Sequence, residues 1–338
     1  MKDFHSKIGL TAAACAVMVS LPAIAQSSVS TYGEIRLSVN QIKTGSSNTV
    51  VEMRDNASRL GFRGVEDLGG GHQALFGLEF GYGADSGTFG TPPLRNSYVA
   101  LRGGWGTLAL GRLDSANPTG SPLYSQVTKL TSFAPNDAGA TATSAAMFNS
   151  RNRTSDSIGY ASPSFGGASV RARTYLRGAG TAVEAEDAAK SIDLGLNYEI
   201  GSLSAAVGWG RDTRSGGLKA NEFDNKWQAG LNYNFKPFDV YFLGGTDRYN
   251  NTATTRRNVG YSLLGGSYRD GPHKVVLNVM RRDVQASLGG VRSRHQMSYQ
   301  YYLSKRTELQ FFYDSDGIDS SKSNVRVRAI GIGTRHNF

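Results

Sequence analysis

The chain closes with Ala329-Ile330-Gly331-Ile332-Gly333-Thr334-Arg335-His336-Asn337-Phe338. Ile330, Ile332, Thr334, His336 and Phe338 occupy alternate positions, so in an extended backbone they share one face. A period of two calls for a β-sheet, and an apolar parity that reaches the last residue calls for apolar surroundings on that side. An ordinary C-terminal edge strand satisfies this pattern, and so does a strand whose outer face meets lipid.

The same alternation recurs along the chain. Ile35, Leu37 and Val39 oppose Glu34, Arg36 and Ser38; Phe76, Leu78 and Phe80 oppose Gly77 and Glu79. Ile192, Leu194, Leu196 and Tyr198 oppose Asp193 and Asn197, and Trp227, Ala229, Leu231 and Tyr233 oppose Lys226, Gln228 and Asn232. A sandwich also alternates, but each of its apolar faces needs a partner sheet. A transmembrane barrel needs none, because lipid covers the outside and water fills the inside. Short connections at 66–71, 103–106, 163–167, 201–202, 236–237, 270–272 and 304–305 alternate with longer ones at 41–52, 84–94, 114–155, 178–190, 212–223, 249–256, 285–291 and 316–324. Short turns at one rim and long loops at the other fit an outer-membrane barrel, and the spacing predicts an all-β, antiparallel, transmembrane barrel of sixteen strands. Phase is ambiguous around 96–101, 240–245, 276–282 and 325–329, where bulges are expected to reset it. The third long loop, 114–155, is rich in Ser, Thr, Ala, Gly and Pro and is expected to fold into the lumen.

The N-terminus predicts export. Lys2 and Lys7 precede a mostly apolar run from Ile8 to Leu21, and Ala23-Ile24-Ala25 supplies small residues for cleavage before Gln26. Residues 1–25 read as a signal peptide and 26–338 as the barrel domain. Cys15, the only cysteine, lies in the signal, so the mature chain offers no disulfide and no thiolate metal site. The net charge of +10 falls by one without the signal. Basicity in a cytoplasmic protein would suggest nucleic acid; attached to an export signal, it points to exported or external anions instead. No cofactor, metal or nucleic-acid partner is expected.

Arg36, Arg59, Arg63, Arg171, Arg173 and Arg177 fall on the polar parity of their segments. Arginine on a lipid face costs about 2–4 kcal/mol near the midplane, so that parity is expected to face the lumen. Fixed guanidinium groups there would lower the energy of a passing anion. The alternative is that these arginines sit near the rims, paired with Glu34, Asp156 or Glu79.

Several stretches resemble the general porins of Gram-negative bacteria, in their β-proteobacterial branch. They are Ser58-Arg59-Leu60-Gly61-Phe62-Arg63-Gly64-Val65-Glu66-Asp67-Leu68-Gly69-Gly70-Gly71, Gly106-Thr107-Leu108-Ala109-Leu110-Gly111-Arg112, Ser157 to Gly167, Tyr302-Leu303-Ser304-Lys305-Arg306-Thr307 and the terminal Gly333 to Phe338. The resemblance implies a homotrimer in the outer membrane, surrounded by lipid and lipopolysaccharide, whose third loop narrows a pore for small anions and hydrophilic solutes. It places the constriction on Arg59, Arg95 and Arg153, with Asp137 as the plain acidic candidate. Glu79, Arg112, Arg36, Arg63, Arg171, Arg173 and Arg177 are candidate lumen-lining residues, and Phe338 the candidate membrane-insertion and assembly signal.

An enzyme would need a nucleophile or carboxylate with a histidine in reach. His72, His273 and His336 lie beside turns or the terminus, and no Gly-x-Ser-x-Gly, His-Glu-x-x-His or Walker motif occurs. Two further alternatives remain open from the sequence: a channel specific for phosphate or another anionic solute, and a non-conducting barrel adhesin.

Overall fold

The computed structural model describes residues 28–114, 117–130, 147–148, 153–176, 190–214, 217–250, 255–283, 290–319 and 325–338. The signal segment, Asp137 and Arg177 lie outside the described residues.

The strands are β1 (Ser28–Thr44), β2 (Val50–Asp55), β3 (Arg59–Gly69), β4 (His72–Gly83), β5 (Thr88–Gly103), β6 (Gly106–Asp114), β7 (Arg153–Ala161), β8 (Ala168–Tyr175) and β9 (Lys190–Ile200). They continue as β10 (Leu203–Thr213), β11 (Phe223–Phe235), β12 (Phe238–Asn250), β13 (Arg256–Asp270), β14 (His273–Asp283), β15 (Val291–Tyr302), β16 (Thr307–Asp319) and β17 (Arg326–Asn337). One helix, α1 (Pro122–Leu130), lies between β6 and β7.

Apart from β2 and β3, every strand pairs antiparallel with its sequence neighbour, and β17 pairs with β1 to close the wall. The seventeen segments make sixteen barrel strands, because β2 and β3 both pair with the same side of β1 and are two halves of one strand. The break falls at 56–58. Ala57 adopts a left-handed φ of 71°, and the Asp55 carboxylate accepts the backbone N–H groups of Ala57 (2.9 Å) and Ser58 (3.2 Å). Asn56 N–H donates to Arg36 O at 2.9 Å, and Arg36 N–H donates to Ser58 Oγ at 2.9 Å, so the neighbouring ladder stays satisfied across the break. At closure, Gly33 and Phe338 exchange both backbone hydrogen bonds, at 3.0 and 3.1 Å. A side chain at position 33 would collide with the Phe338 ring.

The two parities separate as the alternation requires. In β9, Ser191, Asp193, Gly195 and Asn197 are buried inward while Ile192, Leu194, Leu196 and Tyr198 are exposed outward. At the short-turn rim Tyr233, Phe235, Phe238 and Tyr268 form an outward run with successive ring centroids 6.0, 5.6 and 5.2 Å apart. Amphipathic and aromatic rings suit that depth.

Two expectations need correction. Loops one and two are shorter than read, because β1 and β2 leave only 45–49 between them and β5 begins at Thr88. The reading stopped where the outward parity turned polar, at Gln41 and Lys43. The second concerns the ambiguous phases. A register shift does occur beside 94–96, where Glu79 faces Asn96 and Phe80 faces Leu94. The ladders through 240–245, 276–282 and 325–329 run without interruption. Around 240–245 and 276–282 both faces are apolar for a different reason. Tyr241, Leu243, Leu263 and Met280 point inward and pack with Val127, Leu130, Met147 and Phe148 of the third loop, forming an apolar core inside the barrel.

Helix α1 packs against the inner faces of β8 to β12, so the described part of the third loop lies in the lumen. Glycines on the wall make room for it. A Cβ at Gly208 would lie 2.7 Å from Leu123, and one at Gly230 2.7 Å from Leu130. Gln228 and Asn232 donate to the carbonyls of Leu123 (2.9 Å) and Leu130 (2.8 Å) at the two ends of the helix.

Candidate functional site

With the β8–β13 side of the lumen occupied by the loop, the open space lies on the opposite side. A cavity of about 590 Å³ is lined by Tyr32, Glu34, Arg59, Arg63, Glu79, Arg95 and Asn96 from β1, β3, β4 and β5. Asn117, Pro118 and Tyr124 of the third loop face them, with Asp114 and Arg153 at the loop's two stems.

Strand register brings these groups together. Arg59 stands opposite Glu34 across β1–β3, and Glu79 stands between Gly61 and Asn96 across β3–β4–β5. Arg59 donates to Glu34 at 2.9 Å and lies 3.8 Å from Glu79; Arg95 donates through Nε to Glu79 at 2.8 Å. Tyr32 Oη donates to the same Glu79 carboxylate at 3.1 Å. Gly81 allows this arrangement, since a Cβ there would come within 2.9 Å of Arg95 Cδ. Arg63 sits over the Tyr32 ring, 5.1 Å from its centroid, and donates to Ser30 Oγ at 3.2 Å. Asp114 and Arg153 are register partners and form an ion pair at 2.5 Å, which ties the ends of the third loop together.

Arg59, Arg95 and Arg153, read from the sequence as one group, thus line one cavity together with Arg63 and Glu79. Arg36 lies beside them and pairs with Glu34 at 2.6 Å. Arg112 follows the register shift after Gly111, donates to Ser155 Oγ at 2.8 Å and is not among the residues lining the cavity. Arg171 and Arg173 point inward but lie under the loop. Arg171 donates to Ser125 Oγ of α1 at 3.1 Å. Arg173 is fully buried against Asp193, which also accepts Ser121 Oγ at 2.9 Å. A second buried group anchors Met147 and Phe148. Asp247 pairs with Lys226 (2.9 Å) and Arg282 (2.6 Å), Lys226 donates to Phe148 O, and Arg282 donates to Met147 O at 3.3 Å. At the end of α1, burial and then Arg171 push the Lys129 ammonium below the ordinary lysine range, opposed by Glu199.

The residues that sequence reasoning passed over are Asp114, Tyr32 and Tyr124. The acidic groups lining the cavity are Glu34 and Glu79 of the wall, both named from the sequence as partners for the arginines, and Asp114 of the loop's first stem. The pairing of Asp114 with Arg153 follows from the β6–β7 register, which a single sequence does not display.

Residues 11–321 match the profile of the Gram-negative porin family. Outer membrane porin protein 32 of Delftia acidovorans is 30% identical over 349 aligned residues, which span 94% of this chain and 95% of the relative. Among solved structures, the anion-selective porin from Comamonas acidovorans superposes with a TM-score of 0.75 at 24% identity, covering 93% of this chain and 100% of the other. The trimer form of OmpT from Vibrio cholerae does so with a TM-score of 0.67 at 13% identity, covering 92% and 99%. At those identities the two superpositions speak for the barrel alone. Matched by family profile and along nearly its whole length by a porin relative, the chain belongs to the Gram-negative porin family and is an outer-membrane β-barrel.

Proposed function

We propose that the chain forms a passive pore for small hydrophilic solutes that favours anions, and that Arg59, Arg95, Arg153 and Arg63 are the groups that set the preference. The observation that carries this reading is the composition of the off-centre cavity, where four guanidinium groups meet three carboxylates, Glu34, Glu79 and Asp114. The excess is a single positive charge, held in place by ion pairs. At about 4 Å and an effective dielectric constant near 20, one unit charge acts on an ion with about 4 kcal/mol. Salt screens this over about 8 Å, so the effect falls on ions that pass close to the wall. Arginine suits the role because it stays charged and its donors are held in a rigid fork. The name of the Comamonas acidovorans porin records the same preference in a chain of like fold.

The functional unit is proposed to be a homotrimer, exported with loss of residues 1–25 and embedded in lipid and lipopolysaccharide; the trimer form of OmpT supports that assembly for this fold. Single-channel recording in a planar bilayer tests the pore. Discrete, non-saturating conductance steps and a zero-current potential of anion sign in a KCl gradient are expected. Cation preference, or conductance saturated by one particular solute, would overturn it.

A further inference from the structure

On the long-loop half of the inner wall, charge does not balance. Strand register brings Lys226, Asp247, Tyr249, Arg257, Tyr261 and Arg282 to one inward patch of β11 to β14. Asp247 accepts Lys226 at 2.9 Å through Oδ1 and Arg282 at 2.6 Å through Oδ2. The same two cations lie 4.3 and 5.7 Å from the centroid of the Tyr261 ring. Arg257 has no such partner. Among the described residues no carboxylate lies within 4 Å of it, and its Nε and Nη2 are buried with no hydrogen-bond acceptor. Asp224, on β11, is engaged by Arg248 and Arg256 at 3.7 and 3.5 Å. Three cations of the patch therefore face one carboxylate, a surplus of two positive charges.

Nε and Nη2 share one edge of a guanidinium, and that edge grips two oxygens of an oxyanion side by side. Two other arginines of the inner wall use it in this way. Arg292 holds Asp316 through Nε (2.8 Å) and Nη2 (2.6 Å), and Arg294 holds Asp314 through the same pair of atoms (3.0 and 2.6 Å). Arg257 has the same edge buried, but its register partner on β12 is Tyr249 rather than a carboxylate. Tyr249 Oη accepts Arg282 Nη2 at 3.2 Å, which leaves the hydroxyl hydrogen of Tyr249 to donate elsewhere. Buried charge is costly unless it is paired and hydrogen-bonded. A surplus of two, next to a side-on guanidinium edge and a hydroxyl donor, matches a doubly charged oxyanion better than chloride.

We propose that Arg257 and Tyr249 bind a phosphate dianion, free or carried on a small solute, against the inner wall at the long-loop end of β12 and β13. Arg257 takes two oxygens through Nε–H and Nη2–H, Tyr249 donates to a third, and Arg282 and Lys226 supply the surrounding positive field. None of these residues lines the off-centre cavity, so the site goes beyond the pore reading and is independent of which ions the pore prefers. It also touches the third loop's anchor. Tyr249 meets Arg282, and Arg282 donates to Met147 O at 3.3 Å, so a bound anion steadies that attachment.

The folded full-length barrel in detergent is titrated calorimetrically with inorganic phosphate, with glycerol phosphate and with acetate, in KCl at fixed ionic strength. Wild type is compared with Arg257→Gln, with Arg257→Lys and with the cavity variant Arg59→Gln, Arg95→Gln, Arg153→Gln. Loss of two charge-assisted hydrogen bonds should weaken phosphate binding at least about tenfold in Arg257→Gln. Arg257→Lys should recover little of it, because lysine lacks the fork. The cavity variant should bind phosphate at this site as wild type does. Glycerol phosphate binding as tightly as phosphate assigns the site to the group, and phosphate binding alone assigns it to the free ion; either supports the proposal. Phosphate should also raise the urea midpoint of wild type above its value in KCl of equal ionic strength, a comparison that needs no variant. Equal phosphate affinity of Arg257→Gln and wild type overturns the proposal. So do loss of binding in the cavity variant, acetate binding as tightly as phosphate, and a wild-type midpoint indifferent to phosphate.

Discussion

The Glu79 carboxylate lies 2.8 Å from Nε of Arg95 and holds that guanidinium against the cavity wall. It therefore both positions a cation and cancels part of its field. Glu79→Gln should keep a hydrogen-bond partner for Arg95 while removing the negative charge. The chloride-to-potassium permeability ratio is expected to rise by a factor on the order of two to five, the effect of one screened charge near the ion path. An unchanged or lower ratio in bi-ionic measurements would exclude Glu79 from setting selectivity.

Asp247 pairs with two buried cations, Lys226 and Arg282, which in turn bind the carbonyls of Phe148 and Met147. Asp247→Asn leaves both cations buried without a counter-charge. Breaking a buried pair from one side costs about 3–5 kcal/mol, so the variant should unfold at clearly lower urea than wild type. Its channel current should also fluctuate more, because the Met147–Phe148 anchor is loosened. Coincident denaturation curves and equal current noise would show that the loop is held by other contacts.

Gly208 faces Leu123 and Gln126 of α1 with no room for a side chain. Gly208→Leu should push the helix off the β10 wall, costing about 1–3 kcal/mol in overpacking. Displaced toward the open side, the helix should narrow the cavity, so single-channel conductance is expected to fall. A conductance equal to wild type would contradict the placement of α1 against this wall.

Phe338 exchanges backbone hydrogen bonds with Gly33 and lays its ring over it, at the seam where the barrel closes. Deleting Phe338 removes two ladder bonds and the ring together. The yield of heat-modifiable, folded protein in the outer membrane should drop severalfold, with unfolded chain accumulating before insertion. Normal assembly of the deletion variant would show that the terminal residue is dispensable for closure.

Much of the barrel is legible in the residues, because each wall strand meets lipid on one side and water on the other. β9 and β11 display this directly, and the Gly333 to Phe338 terminus marks the closing strand. The pattern fails where the inner face does not meet water. On β12 to β14, Tyr241, Leu243 and Met280 face inward against the third loop, which makes both parities apolar and imitates a bulge. Helix α1 is only nine residues long, so its buried apolar set, Leu123, Val127 and Leu130, is too short a period to be told from loop in the sequence. Arg59 and Arg95 could be grouped from motif and parity. Glu34 and Glu79 are among the partners the residues offer for the wall arginines, whereas Asp114 reaches Arg153 through the β6–β7 register rather than through sequence proximity.

The zero-current potential in a KCl gradient, taken for wild type and for the triple variant Arg59→Gln, Arg95→Gln, Arg153→Gln, addresses the arginine cluster itself. Removing three of the four cavity cations leaves the carboxylates in excess. Anion-signed wild type and a reversal to cation sign in the variant, with assembly intact, is the expected result; an identical potential in the two proteins would contradict it.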